Sequence, residues 1–399
     1  MKKRIFVAIH YLEIGGAETS LIGLLHSIDY EKYDVDLFLY AHRGEMMKYI
    51  PEQVNLLPEI RAYKNIETPL WQTLKEGSVC IALARLWARF SYSRYVKKNH
   101  PVEYSSMFQY VDDAVCPFLP SLAKYGEYDL AISFLTPHRI VLDKVKAKKK
   151  LAWIHTDYST VDVDVHKELP VWRAYDNIIS ISDEVSHAFL AKFPTLSKKI
   201  VRIENILPKE LVSLRAAEQK VEFPSAQNQI NLLSIGRFAY AKNYDNVPDI
   251  CRQVREQHVN VVWYIIGYGG DEKLIRTRIK EAGMEQYVIL LGKKENPYPY
   301  IKACDIYVQP SRFEGKSVTV REAQLLGKPV IITDYPTAAS QVRQGKDGVI
   351  VPLDNRQCAD GIVNFIKEKQ RRKSIVDYLN CNDFSNSGEI NKLYRLFGS

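Results

Sequence analysis

Long apolar runs are missing from the chain. No stretch of its 399 residues approaches the ~18 uninterrupted apolar side chains that a spanning helix needs. Lys2, Lys3 and Arg4 open the sequence, but the apolar run behind them is too short for a secretory leader and has no small-residue cleavage site. A cytoplasmic protein, at most peripheral on the inner face of a membrane, is the expectation. Cysteine is sparse. Cys80, Cys116, Cys251, Cys304, Cys358 and Cys381 are scattered with no CxxC pair, which argues against a disulfide frame or a zinc site. Short-period repeats and low-complexity tracts are absent. A composition of 46% hydrophobic and 26% charged residues is that of a globular chain, not a fibrous or disordered one. The net charge of +8 is mild and fits an anionic substrate, a nucleic acid or an acidic membrane surface.

What is present is an alternation of short β-rich runs with helical patterns. Arg4 to Ile9 is followed by Gly15-Gly16 and a helical stripe of Leu21, Leu24, Leu25 and Ile28. Val35–Tyr40, Leu130–Phe134, Leu151–Ile154, Ile178–Ile181 and Ile200–Ile203 read as further strands. A second series holds Asn231–Ile235, Val261–Ile266, Val288–Leu291, Ile306–Gln309, Val330–Thr333 and Val349–Val351. Strands separated by helices imply βαβ units and mostly parallel sheets. The pattern predicts an α/β chain of two doubly wound, Rossmann-like domains, 1–206 and 230–380. Pro208, Pro224 and a polar run make 207–229 an expected linker, and 381–399 an expected return to the first domain. In such sheets ligands bind beyond the carboxyl ends of the strands. Two such domains facing each other across a cleft would put a substrate there.

Three motifs carry chemistry. Phe313-Glu314-Gly315-Lys316-Ser317 precedes a helix in which Glu322 follows Glu314 by eight positions. Gly315 allows close backbone approach, Ser317 opens the helix so that free amides can meet a phosphate, and Glu322 can accept bonds from ribose hydroxyls. Gly236-Arg237-Phe238-Ala239-Tyr240-Ala241-Lys242 follows a strand, so Arg237 and Lys242 can cradle a diphosphate, one as a planar fork and one as a point charge. Gly15-Gly16-Ala17-Glu18 is a glycine turn before a helix without the full dinucleotide fingerprint. Each alone also fits an ordinary surface turn.

Together, in this order, the motifs resemble glycosyltransferase family 4. The resemblance is specific in residues 231–352 and sparser before them. It implies the two-domain GT-B fold, with an acceptor-binding first domain and a nucleotide-sugar-binding second. Glu314 and Glu322 fall on the family's paired glutamates, and Arg237 and Lys242 on its diphosphate-binding cations. Gly16 falls on its glycine loop, His155 on a histidine near the reacting sugar, and Asn205 on an asparagine leading to the linker. Gly315, Lys316 and Ser317 would complete the donor site. Ala241 and the pair Lys316-Ser317 depart from the usual residues, and the second departure leaves the donor sugar open. The implied reaction is retaining, metal-independent transfer of a hexosyl or N-acetylhexosaminyl unit from a nucleoside-diphosphate sugar, a UDP-sugar above all. The acceptor is a hydroxyl on a growing or lipid-linked glycan, with no other cofactor and no nucleic acid. A nucleotide-sugar epimerase or a catalytically inactive partner subunit would share the fold.

Two features stand apart. Asp162-Val163-Asp164 matches the D-x-D pattern of metal-using transferases, but Asp34-Val35-Asp36 matches it equally. Residues 61–98 carry eight cations against two acids, and Val79, Leu83, Leu86 and Phe90 share a helical face. Over residues 75–98 this fits a helix on an anionic membrane. It also fits a helix packing that face on the first domain, with the basic residues, Arg85, Arg89 and Lys98 elsewhere on the wheel, in water.

Overall fold

The computed structural model describes residues 2–13, 15–100, 105–156, 158–159, 161–224, 229–314 and 317–397. The chain divides into two compact units, Met1–Ile206 with Asn386–Ser399, and Leu207–Ser385.

The first unit is built on seven parallel strands: β1 (Lys3–Ile9), β2 (Tyr33–Leu39), β3 (Asn55–Leu56), β4 (Tyr128–Ser133), β5 (Ala147–Ile154), β6 (Asn177–Ser180) and β7 (Ile200–Arg202). Their order is β3-β2-β1-β4-β5-β6-β7. Ile5, Phe6, Val7, Ala8 and Ile9 are all buried, as a central strand covered by helices on both faces requires. The chain runs outward from β1 on one side and from β4 on the other, so the sheet's switch point lies between them. The one buried acid of β2, Asp36, is satisfied by Arg4 at 2.8 Å, Asn55 at 2.6 Å and the Tyr128 hydroxyl at 2.6 Å. The helix Ile390–Phe397 closes this unit. Tyr394 stacks on Tyr33 with ring centroids 4.5 Å apart and accepts the Asp29 N–H. Asn386 donates to the Asn205 carbonyl, and the Asn205 side chain accepts from Ser20 at 2.7 Å.

The second unit has six parallel strands: β8 (Ile230–Ile235), β9 (Val261–Ile266), β10 (Val288–Gly292), β11 (Ile306–Gln309), β12 (Val330–Thr333) and β13 (Val349–Val351), in the order β10-β9-β8-β11-β12-β13. Its switch point lies between β8 and β11.

The segment expected as a linker differs. Residues 209–217 form a helix, and Leu207, Val212 and Ala216 are buried in the core of the second unit. Of the polar run behind the linker expectation, Gln227 and Asn228 lie outside the described residues.

The basic segment also differs in one respect. Arg85 is not a solvated cation: its guanidinium donates to the carbonyls of Asn65 and Thr68 and to the Thr73 hydroxyl, tying three turns together. The face of Val79, Leu83, Leu86 and Phe90 points outward, while Ile81, Ala84, Ala88 and Tyr92 of the same helix are buried. Among the described residues no helix is long and apolar enough to cross a membrane.

Candidate active site

The switch point of the second sheet brings two motif loops together. β8 and β11 are neighbours, so the loops leaving their carboxyl ends lie side by side. Arg237 and Lys242 come from the first loop, Glu314 from the second. Lys242 donates to Glu314 Oε1 at 2.5 Å, with the two side chains 21% and 10% exposed. The same oxygen accepts from Ser311 at 2.7 Å and Gln309 at 3.1 Å. Three donors on Oε1 fix the carboxylate, and no described donor reaches Oε2. A group held in this way can accept from a ligand hydroxyl with its other oxygen. Arg237 is exposed and makes no ion pair with any described residue.

A second, bidentate pair staples the loops. Arg312 donates to both carboxylate oxygens of Asp245, at 2.9 and 2.8 Å, and to the Tyr240 carbonyl at 2.7 Å. Its own N–H donates to the Ala241 carbonyl. The fork locks the turn that carries Lys242 against the strand end that carries Glu314. A further close approach holds the Arg237 turn. A Cβ at Gly267 would run into the Gly236 carbonyl, and one at Gly269 into the Phe238 carbonyl.

Ser317 stands at the N-terminus of the helix Val318–Leu325, as expected, but its hydroxyl caps no amide and bonds to Thr319 instead. Gln341 grips its peptide unit, accepting the Ser317 N–H at 3.1 Å and donating to the Ser317 carbonyl at 2.5 Å. Glu322, on the second turn, is 7% exposed and accepts the Tyr298 hydroxyl at 2.8 Å. Burial raises its carboxyl above the ordinary range, against the pull of Tyr298 and Arg215. Gly315 and Lys316 lie outside the described residues. Arg312, Gln341 and Tyr298 belong to the site although no sequence motif marks them. Opposite charges in the two motif loops, Arg312 and Asp245, were the available signal for the first. An acid on the inner face of a helix signals a buried partner such as Tyr298. Nothing local marks Gln341.

The first unit holds the remaining residues. Gly16 is the first residue of the helix Gly16–His26, where a side chain would meet nothing within 4 Å; the tight position is Gly15, where one would strike the Glu18 carboxylate. His155 follows β5. Its ring lies parallel to Trp153 and 4.6 Å from Phe134, and its Nε2 is buried without a partner among the described residues. Burial pushes its pKa down to about 3, so the imidazole is neutral. A cavity of about 280 Å³ opens at the carboxyl ends of β1, β4 and β5, lined by His10, Tyr11, Phe108, Thr136, Tyr158 and Glu168 among others. His10 Nδ1 meets Glu67 Oε1 at 2.6 Å. Burial would raise Glu67, but the bond from His10 and the charges of His10, Arg43 and Arg85 hold it below the ordinary carboxylate range. Burial pushes Glu168 up to about 7, despite bonds from Trp172 and Tyr158. Asp164 is taken by structure: it caps the helix Val165–Ala174 through the His166 N–H and accepts the Tyr110 hydroxyl at 2.7 Å.

Residues 216–379 match the family model described as Glycosyl transferases group 1. The N-acetylgalactosamine-N,N'-diacetylbacillosaminyl-diphospho-undecaprenol 4-alpha-N-acetylgalactosaminyltransferase of Campylobacter jejuni is 28% identical over 145 residues, 36% of this chain and 39% of that protein. The amylovoran biosynthesis glycosyltransferase AmsD of Erwinia amylovora is 25% identical over 152 residues, 38% of this chain and 42% of that one. The matches thus span 39% and 42% of these relatives' length. Among solved structures, Anabaena HepE in complex with UDP and glucose aligns with a TM-score of 0.60 at 16% identity, covering 100% of each chain. S. aureus TarM, in a complex that includes UDP, aligns with a TM-score of 0.62 at 13% identity, again over 100% of each. At such identities the likeness is one of fold. The chain has the GT-B fold, and the match to the group 1 glycosyltransferase model covers residues 216–379, less than half of it.

Proposed function

We propose that the chain transfers a hexosyl or N-acetylhexosaminyl unit from a nucleoside-diphosphate sugar, a UDP-sugar above all, to a hydroxyl of a glycan or lipid-linked acceptor. The observation that carries this reading is the Lys242–Glu314 pair at the second switch point, in the same loop as Arg237, which has no ion-pair partner among the described residues. When the bond from the anomeric carbon to the diphosphate breaks, negative charge grows on the leaving oxygen. Arg237 and Lys242 neutralise it, with help from amides at the start of the helix Val318–Leu325. Glu314 holds the donor sugar's hydroxyls through Oε2, and Glu322 the ribose. The acceptor oxygen bonds to the anomeric carbon on the face the diphosphate leaves, and its proton passes to the departing phosphate oxygen. The configuration is retained. Two cations in one loop take the place of a divalent ion, and Asp164 is already spent on a helix cap and Tyr110.

The acceptor side is the first unit. Its cavity combines the rings of Tyr11, Phe108 and Tyr158 with polar groups on His10, Thr136 and Glu168, the mixture that grips a sugar by its apolar face and its hydroxyls. His155 stays neutral and serves as a hydrogen-bonding group, not a proton donor. The names of similar proteins point the same way: one acts on a diphospho-undecaprenol-linked sugar, another serves amylovoran biosynthesis, and UDP accompanies two of the solved folds. Calorimetry with UDP tests the donor half. Micromolar binding to the wild-type chain, weakened at least about tenfold in Arg237→Ala, is the expected result. UDP binding that is absent, or indifferent to Arg237 and Lys242, would refute the assignment.

A further inference from the structure

The helix Val79–Asn99 is apolar on two opposite sides. Ile81, Ala84, Ala88 and Tyr92 pack inward. Turned away from them, Val79 (49%), Leu83 (59%), Leu86 (48%), Trp87 (63%) and Phe90 (53%) are exposed. The helix Leu70–Lys75 packs beside it and adds Trp71 (68%) and Leu74 (49%) to the exposed surface. A single exposed leucine needs no explanation. Seven large apolar side chains on two adjoining helices, two of them tryptophan, mark a surface that is covered in use.

The charges around this surface decide what covers it. Lys75, Arg89, Arg94, Lys97 and Lys98 are exposed, and none has an acidic partner among the described residues. No acid occurs in the sequence between Glu76 and Glu103. A second copy of the same surface would bring like charges face to face. An anionic bilayer answers both features: its acyl region takes the apolar stripe and its head groups the cations, with tryptophan at the boundary. Val79, Leu83, Leu86 and Phe90 form one stripe about 17 Å long, which lies in the plane of the membrane rather than across it. We infer that the outward face of these two helices is where the protein docks on an anionic lipid surface. Phe108, 60% exposed on the helix Met107–Val115 packed against Val79–Asn99, also lines the cavity assigned to the acceptor. The inference rests on the proposed acceptor class for its purpose and not for its evidence.

The test is co-sedimentation with vesicles of phosphatidylcholine alone and of phosphatidylcholine with phosphatidylglycerol, at low and high salt. Wild type should sediment only with the anionic vesicles, and release as salt shortens the range of the head-group field. Two double variants are compared, Leu83→Glu with Phe90→Glu, and Arg89→Glu with Arg94→Glu. Each should lower the vesicle partition coefficient at least about tenfold. Arg85 is left intact because it ties the neighbouring turns. All four positions are exposed, so circular dichroism, melting temperature and UDP affinity should match wild type. Wild type that stays in the supernatant with anionic vesicles at low salt would overturn the inference. So would binding indifferent to both variants, or a solution dimer that Trp87→Glu dissolves and no vesicle binding. Vesicle binding by a chain that shows no UDP affinity would refute the transfer reaction and leave the docking face standing.

Discussion

Lys242 and Glu314, 72 positions apart in the sequence, meet at 2.5 Å with both side chains largely withdrawn from solvent. The cation that would stabilise a leaving diphosphate is therefore held in place before the donor arrives. Its partner is the carboxylate that would hold the donor's sugar. Preorganisation of this kind is what makes an electrostatic site effective, because no reorientation is needed as charge develops.

The first prediction follows from that pair. Lys242→Ala should cost about 2–4 kcal/mol of barrier, or roughly 10²–10³ in turnover. It also leaves Glu314 partly buried without its counter-charge, so stability should fall as well. Steady-state rates and chemical denaturation check the two effects. Turnover within a factor of three of wild type would remove Lys242 from the site.

Arg312 gives the second. It touches no ligand in this account and acts only by holding the Lys242 turn against Glu314 through Asp245. Arg312→Ala should lower turnover about tenfold or more and weaken UDP binding, while acceptor KM stays unchanged. Arg312→Lys should recover only part of the loss, since an ammonium cannot reproduce the two-point grip on Asp245. Full recovery by lysine would mean that charge alone matters there.

The glutamates should separate by kinetics. Glu322→Gln should raise donor KM more than it lowers kcat, because ribose contacts persist from ground state to transition state. Glu314→Gln should act mainly on kcat. The reverse pattern would exchange their roles.

His155 supplies a pH prediction. Its folded pKa is about 3, against about 6.5 when unfolded, because burial disfavours the imidazolium. The stability this group contributes is complete above pH 6.5. Below that the unfolded chain takes a proton that the folded chain refuses, and about 1.4 kcal/mol is lost per pH unit down to pH 3. Its ring protons should therefore show no titration between pH 8 and 5 in NMR spectra. An ordinary midpoint near 6.5 would contradict the packing described.

Much of the second unit was legible in the sequence, because its strands are short apolar runs bounded by turns. Val261–Ile266, Ile306–Gln309, Val330–Thr333 and Val349–Val351 stand where the pattern puts them. The first unit was harder to read. β5 begins four residues earlier than its apolar run, in Ala147-Lys148-Lys149-Lys150. These lysines belong to the strand because each has a partner that no local pattern shows: Asp129, the Leu396 carbonyl and the Leu142 carbonyl. β3, only Asn55–Leu56, is too short to make a pattern at all. The helix Lys209–Ala217 hid between two prolines that resemble linker punctuation, although Pro208 is its N-cap. In the site, the motif residues were readable and their supports were not. Arg312, Gln341 and Tyr298 act through contacts 24 to 72 positions away, which spacing within a motif cannot reveal.

Sugar transfer from a nucleotide donor without a metal can be tested directly. The measurement is incubation with a panel of UDP-sugars, with and without glycan and lipid-linked acceptors and in excess EDTA, with products read by mass spectrometry and NMR. The expected result is free UDP and a glycosylated acceptor whose new linkage keeps the donor's anomeric configuration, at a rate that EDTA leaves unchanged. An altered UDP-sugar with no acceptor product would make the chain an epimerase, and no change in any donor would make it an inactive partner. Activity lost on chelation and restored by Mn²⁺ or Mg²⁺ would return Asp162 and Asp164 to the active site and contradict the role given to Arg237 and Lys242.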